Sequence, residues 1–265
     1  MNFNPNIVEK YLGETPIPLA LERALEGEIY KTLPFVRPIL DLGCGEGLFA
    51  KIVFAEKIDT GIDPNPKELK RAKDLGAYNE LICCWGDSIP RPDQSYATIF
   101  SNSVMEHIPD IQPVFKEVYR LLMPGGSFYM TVPSDRFDEY TIGYQLPRLV
   151  GLSKLAQRYK TFFNRFWRHF HAYSKTEWAT QAKRGGFLVE EVYSYEGKAL
   201  CLINDLLVPF SIGSFLLKKT TNRWSLFPGI RYLALFPLAV IIKPWLKKNI
   251  RVNEGGLVFM RLSKR

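Results

Sequence analysis

The nine residues Ile39-Leu40-Asp41-Leu42-Gly43-Cys44-Gly45-Glu46-Gly47 constrain this chain more than any other stretch. A short apolar run broken by alternating glycines reads as a buried strand entering a tight turn, where α/β proteins bind nucleotide-like cofactors. A Cβ at Gly43 or Gly45 would forbid positive φ or keep a ligand from approaching the backbone. A helix expected from Leu48 to about Glu56 then points its N-terminus at the site. Leu48 stands where the dinucleotide fingerprint has its third glycine, which argues against NAD.

The following residues extend the pattern. Asp59-Thr60-Gly61-Ile62-Asp63 reads as a second strand ending in a carboxylate twenty residues after Gly43, suited to accept the hydroxyls of a ribose. Trp85-Gly86-Asp87-Ser88-Ile89-Pro90 closes a third apolar stretch, Ala97 to Asn102 forms a fourth, and Ser103-Val104-Met105-Glu106-His107-Ile108-Pro109 follows it. A helix and a fifth strand, Ser127 to Val132, come next, introduced by the turn-forming triplet Pro124-Gly125-Gly126.

Asp41-x-Gly43-x-Gly45-x-Gly47, Asp63, Gly86-Asp87, Glu106-His107-Ile108-Pro109 and Leu122-Met123-Pro124-Gly125-Gly126 together resemble the class I S-adenosylmethionine-dependent methyltransferases of the small-molecule type 11 group. The resemblance covers residues 35 to 135 and implies a cofactor site of Asp41, Gly43, Cys44, Gly45, Asp63, Pro64, Asp87, Ser88, Asn102 and Ser103. Asp63 is expected on the ribose and Asp87 near the adenine edge. The implied fold is a Rossmann-like seven-stranded sheet, mostly parallel, with helices on both faces and an antiparallel last strand inserted between strands five and six.

Alternating strands and helices lead to the same class, because parallel neighbours need crossover helices that cover both faces. Residues 16 to 33 carry prolines and then helical spacing, Lys175 to Arg184 is a helix stopped by Gly185-Gly186, Phe187 to Tyr195 is strand six, and Leu257 to Leu262 the last strand. Residues 1–197 and 254–265 therefore form the cofactor-binding domain, with an aromatic-rich insertion at 134–170 and a helical insertion at 198–253.

The two insertions should hold the acceptor. Between Phe137 and Trp178 lie eleven of the 36 aromatic residues, with Arg158, Lys160, Arg165 and Arg168 interleaved, a pattern that suits either a helix burying one face or a pocket for an acceptor with an anionic neighbour. Of the three histidines, His107 follows strand four, while His169 and His171 precede the helix leading to strand six. Each is a candidate for proton removal from an acceptor hydroxyl or amine.

Cys44, Cys83, Cys84 and Cys201 show neither a disulfide framework nor CxxC spacing, so a reduced, cytoplasmic protein is expected and no metal centre is assigned. The N-terminus lacks a basic stretch followed by an apolar run, so no signal peptide is expected. Residues 198 to 253 hold nine Lys or Arg against Asp205 alone, so this segment carries the whole net charge of +8 and leaves 26 basic against 26 acidic residues elsewhere. It is also apolar, with one charge from Ala199 to Leu217 and none from Tyr232 to Ile242. Basic and apolar character together predict contact with an anionic membrane, at the inner face of the cell membrane, and a lipid-linked or small-molecule acceptor. The uncharged run of eleven residues is shorter than the roughly 20 a spanning helix needs. A soluble helical lid or a dimer interface is the alternative for this segment. For the chain, the alternatives are a nucleic-acid methyltransferase, disfavoured because leucine and phenylalanine dilute the basic residues, or a catalytically silent cofactor-binding scaffold.

Overall fold

The computed structural model describes residues 1–265. Seven strands form one sheet in the order β3-β2-β1-β4-β5-β7-β6. They are β1 (Ile39–Leu42), β2 (Ile58–Asp63), β3 (Tyr78–Cys83), β4 (Tyr96–Asn102), β5 (Leu122–Pro133), β6 (Leu188–Gly197) and β7 (Gly255–Ser263). Only β7 runs against its neighbours, lying between β5 and β6, as the sequence predicts. The fully buried pattern of β1 follows from its place in a parallel sheet covered on both faces.

Two apolar clusters of 30 and 22 buried residues cover the two faces of the sheet. The larger one receives α1 (Ile7–Glu14), α2 (Ile17–Tyr30), α3 (Leu48–Val53) and α4 (Pro66–Leu75). The smaller receives α5 (Gln112–Leu121) and α8 (Lys175–Arg184). Tyr30 from α2 meets Phe100 of β4 edge-on at 5.7 Å, which fixes α2 above the carboxyl ends of the central strands.

Some expectations need correction. Helix α3 stops at Val53 rather than near Glu56, because Phe54 turns extended and bridges Phe3 of the N-terminal segment. The Pro124-Gly125-Gly126 turn does not precede β5 but forms an irregularity within it, where the register against β4 jumps between Leu122 and Ser127.

The first insertion folds into α6 (Ile142–Leu149) and α7 (Ser153–Trp167). The second supplies α9 (Lys198–Leu207), a 3₁₀ turn, α10 (Ile212–Thr221) and α11 (Pro228–Lys248). Lys198–Thr221 and Pro228–Lys248 are each long and apolar enough to cross a membrane, so the second run is not short once its helix is seen whole. Yet α11 lies back on α1, where Lys243 pairs with Glu9 and Arg231 Nε donates to the Leu12 carbonyl at 2.9 Å.

Candidate active site

Beyond the carboxyl end of β1 the backbone turns through three glycines with positive φ, Gly43 (+78°), Gly45 (+52°) and Gly47 (+80°). A Cβ at Gly43 would stand 2.6 Å from both methyls of Val104, so the turn after β4 leaves no room there for a side chain. Space in front of Gly45 is open. Asp63, ending β2, holds the loop by accepting from Gly45 N–H at 3.0 Å, and its other oxygen accepts from Asn65 N–H at 2.8 Å. Each of those oxygens keeps a lone pair for a ligand hydroxyl.

Beside this turn opens a cavity of about 230 Å³. Four of the predicted cofactor residues line it: Asp41, Gly43, Cys44 and Asn102. Gly45 and Asp63 belong to the adjoining loop, Ser103 to its back wall, and Pro64, Asp87 and Ser88 lie exposed beyond the ends of β2 and β3. Burial pushes the Asp41 carboxyl up to about 7, against a 2.7 Å hydrogen bond from Tyr78, with Asp63 raising it further. Burial also drives the Cys44 thiol far above its usual range, which excludes it as a nucleophile at neutral pH.

The sequence reading missed the far wall, which α1 and α2 provide through Tyr11, Thr15, Leu19 and Arg23. Behind Arg23, the carboxylate of Glu26 is wholly buried. It accepts from Arg23 Nη1 at 2.6 Å, Tyr195 OH at 2.9 Å, Asn102 Nδ2 at 3.0 Å and Ser103 Oγ at 3.3 Å. Asn102 Oδ1 in turn accepts from Thr131 Oγ1 at 2.7 Å. One carboxylate thus ties α2 to the ends of β4 and β6. Burial alone would lower the Arg23 pKa, but Glu26 and Glu22 outweigh it and keep the guanidinium charged.

Past Ser103 the chain makes a 3₁₀ turn, Met105–His107, and the end of the first insertion is strapped onto it. Phe170 N–H donates to the Glu106 carbonyl at 2.8 Å, and the His107 ring lies 5.3 Å from that of His169. Burial pushes the Glu106 carboxyl up to about 8 and His169 down to about 4, and it lowers His107 as well. Both imidazoles are therefore neutral near pH 7. His171 stands apart, with Nε2 2.9 Å from the Ile108 carbonyl and its ring stacked on Tyr173 at 4.9 Å.

Residues 40–130 match the methyltransferase-domain family. The chain carries a class I, type 11 methyltransferase domain. S-adenosylmethionine is the cofactor of this class. An uncharacterised methyltransferase of Mycobacterium sp. (strain JLS) is 30% identical over 132 residues, 49% of this chain and 52% of that protein. Sterol 24-C-methyltransferase of Aspergillus fumigatus is 31% identical over 110 residues, 38% of this chain and 29% of that enzyme. The matched part thus spans about half or less of these relatives' length. In fold, the chain resembles an S-adenosylmethionine-dependent methyltransferase of Thermotoga maritima, described as a possible histamine N-methyltransferase. The TM-score is 0.57 at 17% identity, covering 97% of this chain and 91% of that one.

The methyltransferase domain fits its cofactor on local grounds. An α-amino acid end needs an anion for its ammonium and a cation for its carboxylate, and the cavity offers Asp41 and Arg23. Three carboxylates, Asp41, Glu46 and Glu26, stand against two cations, Arg23 and the Lys218 paired with Glu46, which leaves a net negative charge of at most one to meet a ligand's sulfonium.

Proposed function

We propose that this chain transfers a methyl group from S-adenosylmethionine to a small-molecule or lipid-linked acceptor while resting on an anionic membrane. The cofactor, when bound, supplies a methyl group on sulfonium sulfur that an acceptor atom displaces in line. The chain contributes alignment and exclusion of water, and well-oriented reactants reach effective molarities of roughly 10⁵–10⁸ M. Arg23 receives the amino-acid carboxylate, Asp41 the ammonium and Asp63 the ribose, while Asp87, Ser88 and Pro64 border the adenine edge. His107 and His169, both neutral, are assigned to the acceptor. His171 is assigned to holding the turn after β4.

The observation that carries the membrane part is an apolar surface shared by both insertions. Leu149 is 82% exposed and Phe166 64% on α6 and α7, and Phe210 82%, Leu233 72% and Ile241 73% on the second insertion. The two meet where Ile142 N–H donates to Asp205 at 2.7 Å. A helix apolar on all sides belongs to a core or a membrane, and only 11% of the apolar window of α11 is buried. A monomer rarely exposes contiguous apolar patches beyond a few hundred Å² to water.

The charge contribution is smaller than composition suggests. Lys218 pairs with Glu46, Lys243 with Glu9 and Arg251 with Glu191, and Arg231 bonds a carbonyl. Lys198, Lys219, Arg223, Lys247 and Lys248 remain exposed, each worth about 1 kcal/mol beside anionic lipid. Leu235 and Trp245 pack against the core, so Phe227, Ile230, Leu233 and Ile241 are the inserting side chains. On this reading residues 198–253 form a membrane-facing insertion of the domain built from 1–197 and 254–265.

The test is co-sedimentation with anionic vesicles, followed by incubation with methyl-labelled cofactor and a membrane extract. Binding that persists in part at high salt, with label in the organic phase, is expected. Protein left in the supernatant at low salt overturns the membrane part.

A further inference from the structure

Three metal-ligating side chains meet where the turn after β4 touches the end of the first insertion. Glu106, His107 and His169 each offer one donor atom, and these atoms lie within 4.8 Å of one another. Their other contacts fix what they present. His107 Nδ1 is 3.2 Å from the Arg168 carbonyl, which can only accept, so the ring proton sits on Nδ1 and Nε2 shows a lone pair. His169 Nδ1 is 3.3 Å from Asn164 Oδ1, the amide being oriented by its Nδ2 donating to Asp138 at 2.5 Å. The His169 proton is therefore also on Nδ1, with a lone pair at Nε2.

Glu106 completes the set. It is 2% exposed, and its Oε2 has no hydrogen-bond partner. Its Oε1 lies 3.8 Å from His107 Nε2, beyond hydrogen-bonding range. Two imidazole lone pairs thus meet a buried carboxyl group whose Oε2 has no partner, an arrangement that a cation satisfies by taking the place of the carboxyl proton. The rings are held in advance, His169 packing at 6.0 Å from Phe137 and 6.1 Å from Phe163. The outer contacts are those of metal-binding histidines, each Nδ1–H given to an oxygen so that Nε2 can ligate.

We propose that Glu106, His107 and His169 bind one divalent transition-metal cation of the zinc, cobalt, iron(II) or manganese class, with coordination positions left open toward the acceptor. Two nitrogens and one carboxylate suit these metals, whereas magnesium prefers oxygen and water. Three protein ligands leave room for at least one more, and the His107 side chain, 42% exposed, marks the open side. A tetrahedral site with 2.1 Å bonds has edges of roughly 3.4 Å, so ring rotation, chiefly of exposed His107, draws the donors together on binding. The link to the acceptor rests on the methyl-transfer reading: an acceptor oxygen bound to the cation is positioned, and a hydroxyl there gives up its proton more readily.

The experiment titrates the chelator-stripped full-length protein with cobalt(II), following heat and visible absorption. Wild type should bind one equivalent, with a low-symmetry absorption band that zinc abolishes. Glu106→Gln, His107→Asn and His169→Asn should each weaken binding at least tenfold, while Asp74→Asn, exposed on α4 away from the cluster, should not; thermal melts verify that each variant is folded. No one-to-one binding by wild type, or equal binding by all three folded variants, overturns the proposal. Neither cofactor nor acceptor is present, so such a failure leaves the methyl-transfer reading intact, and loss of S-adenosylhomocysteine binding by wild type would count against that reading alone.

Discussion

Replacing Glu26 tests whether one buried carboxylate assembles the cofactor wall. Its side chain has no exposure and accepts four hydrogen bonds, from Arg23, Tyr195, Asn102 and Ser103. In Glu26→Ala those donors lose their acceptor, and Arg23 keeps only Glu22, at 3.2 Å. Breaking a buried ion pair by removing one partner costs about 3–5 kcal/mol. In a chain of this size each kcal/mol moves the melting temperature by about 2–4 °C, so a fall on the order of 10 °C is expected. Glu26→Gln keeps the shape and one acceptor oxygen and should cost about 1–3 kcal/mol. Because Arg23 and Asn102 both line the cavity, affinity for S-adenosylhomocysteine should fall at least tenfold in the alanine variant. Thermal unfolding and calorimetry read both effects. A melting point within about 2 °C of wild type and an unchanged affinity would refute the reasoning.

Other perturbations act on separate parts of the site. Asp63→Ala removes a charged acceptor worth about 1.5–3 kcal/mol, so S-adenosylhomocysteine should bind roughly ten- to over a hundredfold more weakly by calorimetry. Gly43→Ala forces a Cβ into positive φ and to 2.6 Å from Val104, so it should lower both the melting temperature and cofactor affinity, whereas Gly76→Ala, where space is open, should lose only the backbone-strain part. Asp41 titrates near 7 when folded and near 4 when unfolded, so the folded state holds the proton more tightly. Its contribution is full below about pH 4 and is lost as pH rises to about 7, at up to about 1.4 kcal/mol per unit; denaturant unfolding of ligand-free Asp41→Asn should show a flatter profile over that range.

The cofactor half was legible because its signals are local. Consecutive apolar residues followed by glycines at fixed spacing specify a buried strand and a turn of positive φ, and the structure has both at Ile39–Gly47. The opposite wall was not legible. Arg23 and Glu26 sit on a helix that reads only as amphipathic, and their partners are as distant as Tyr195. The histidine cluster was half legible: His107 stood out by its motif, but only the fold of the first insertion brings His169 beside it. Charge counting misled in the second insertion, since four of its nine basic residues are already partnered, by Glu46, Glu9, Glu191 and the Leu12 carbonyl. Counting uncharged residues also misjudged α11, because its helix continues through Lys243, Lys247 and Lys248.

The central claim is that the cavity beside the glycine turn binds S-adenosylmethionine through Asp41, Arg23 and Asp63. Calorimetric titration of the full-length protein with S-adenosylhomocysteine, with NAD as the comparison ligand, tests it most directly. One equivalent of S-adenosylhomocysteine should bind, more weakly to Asp63→Ala, and NAD should give no heat. Saturable binding of NAD with no response to S-adenosylhomocysteine would contradict the account.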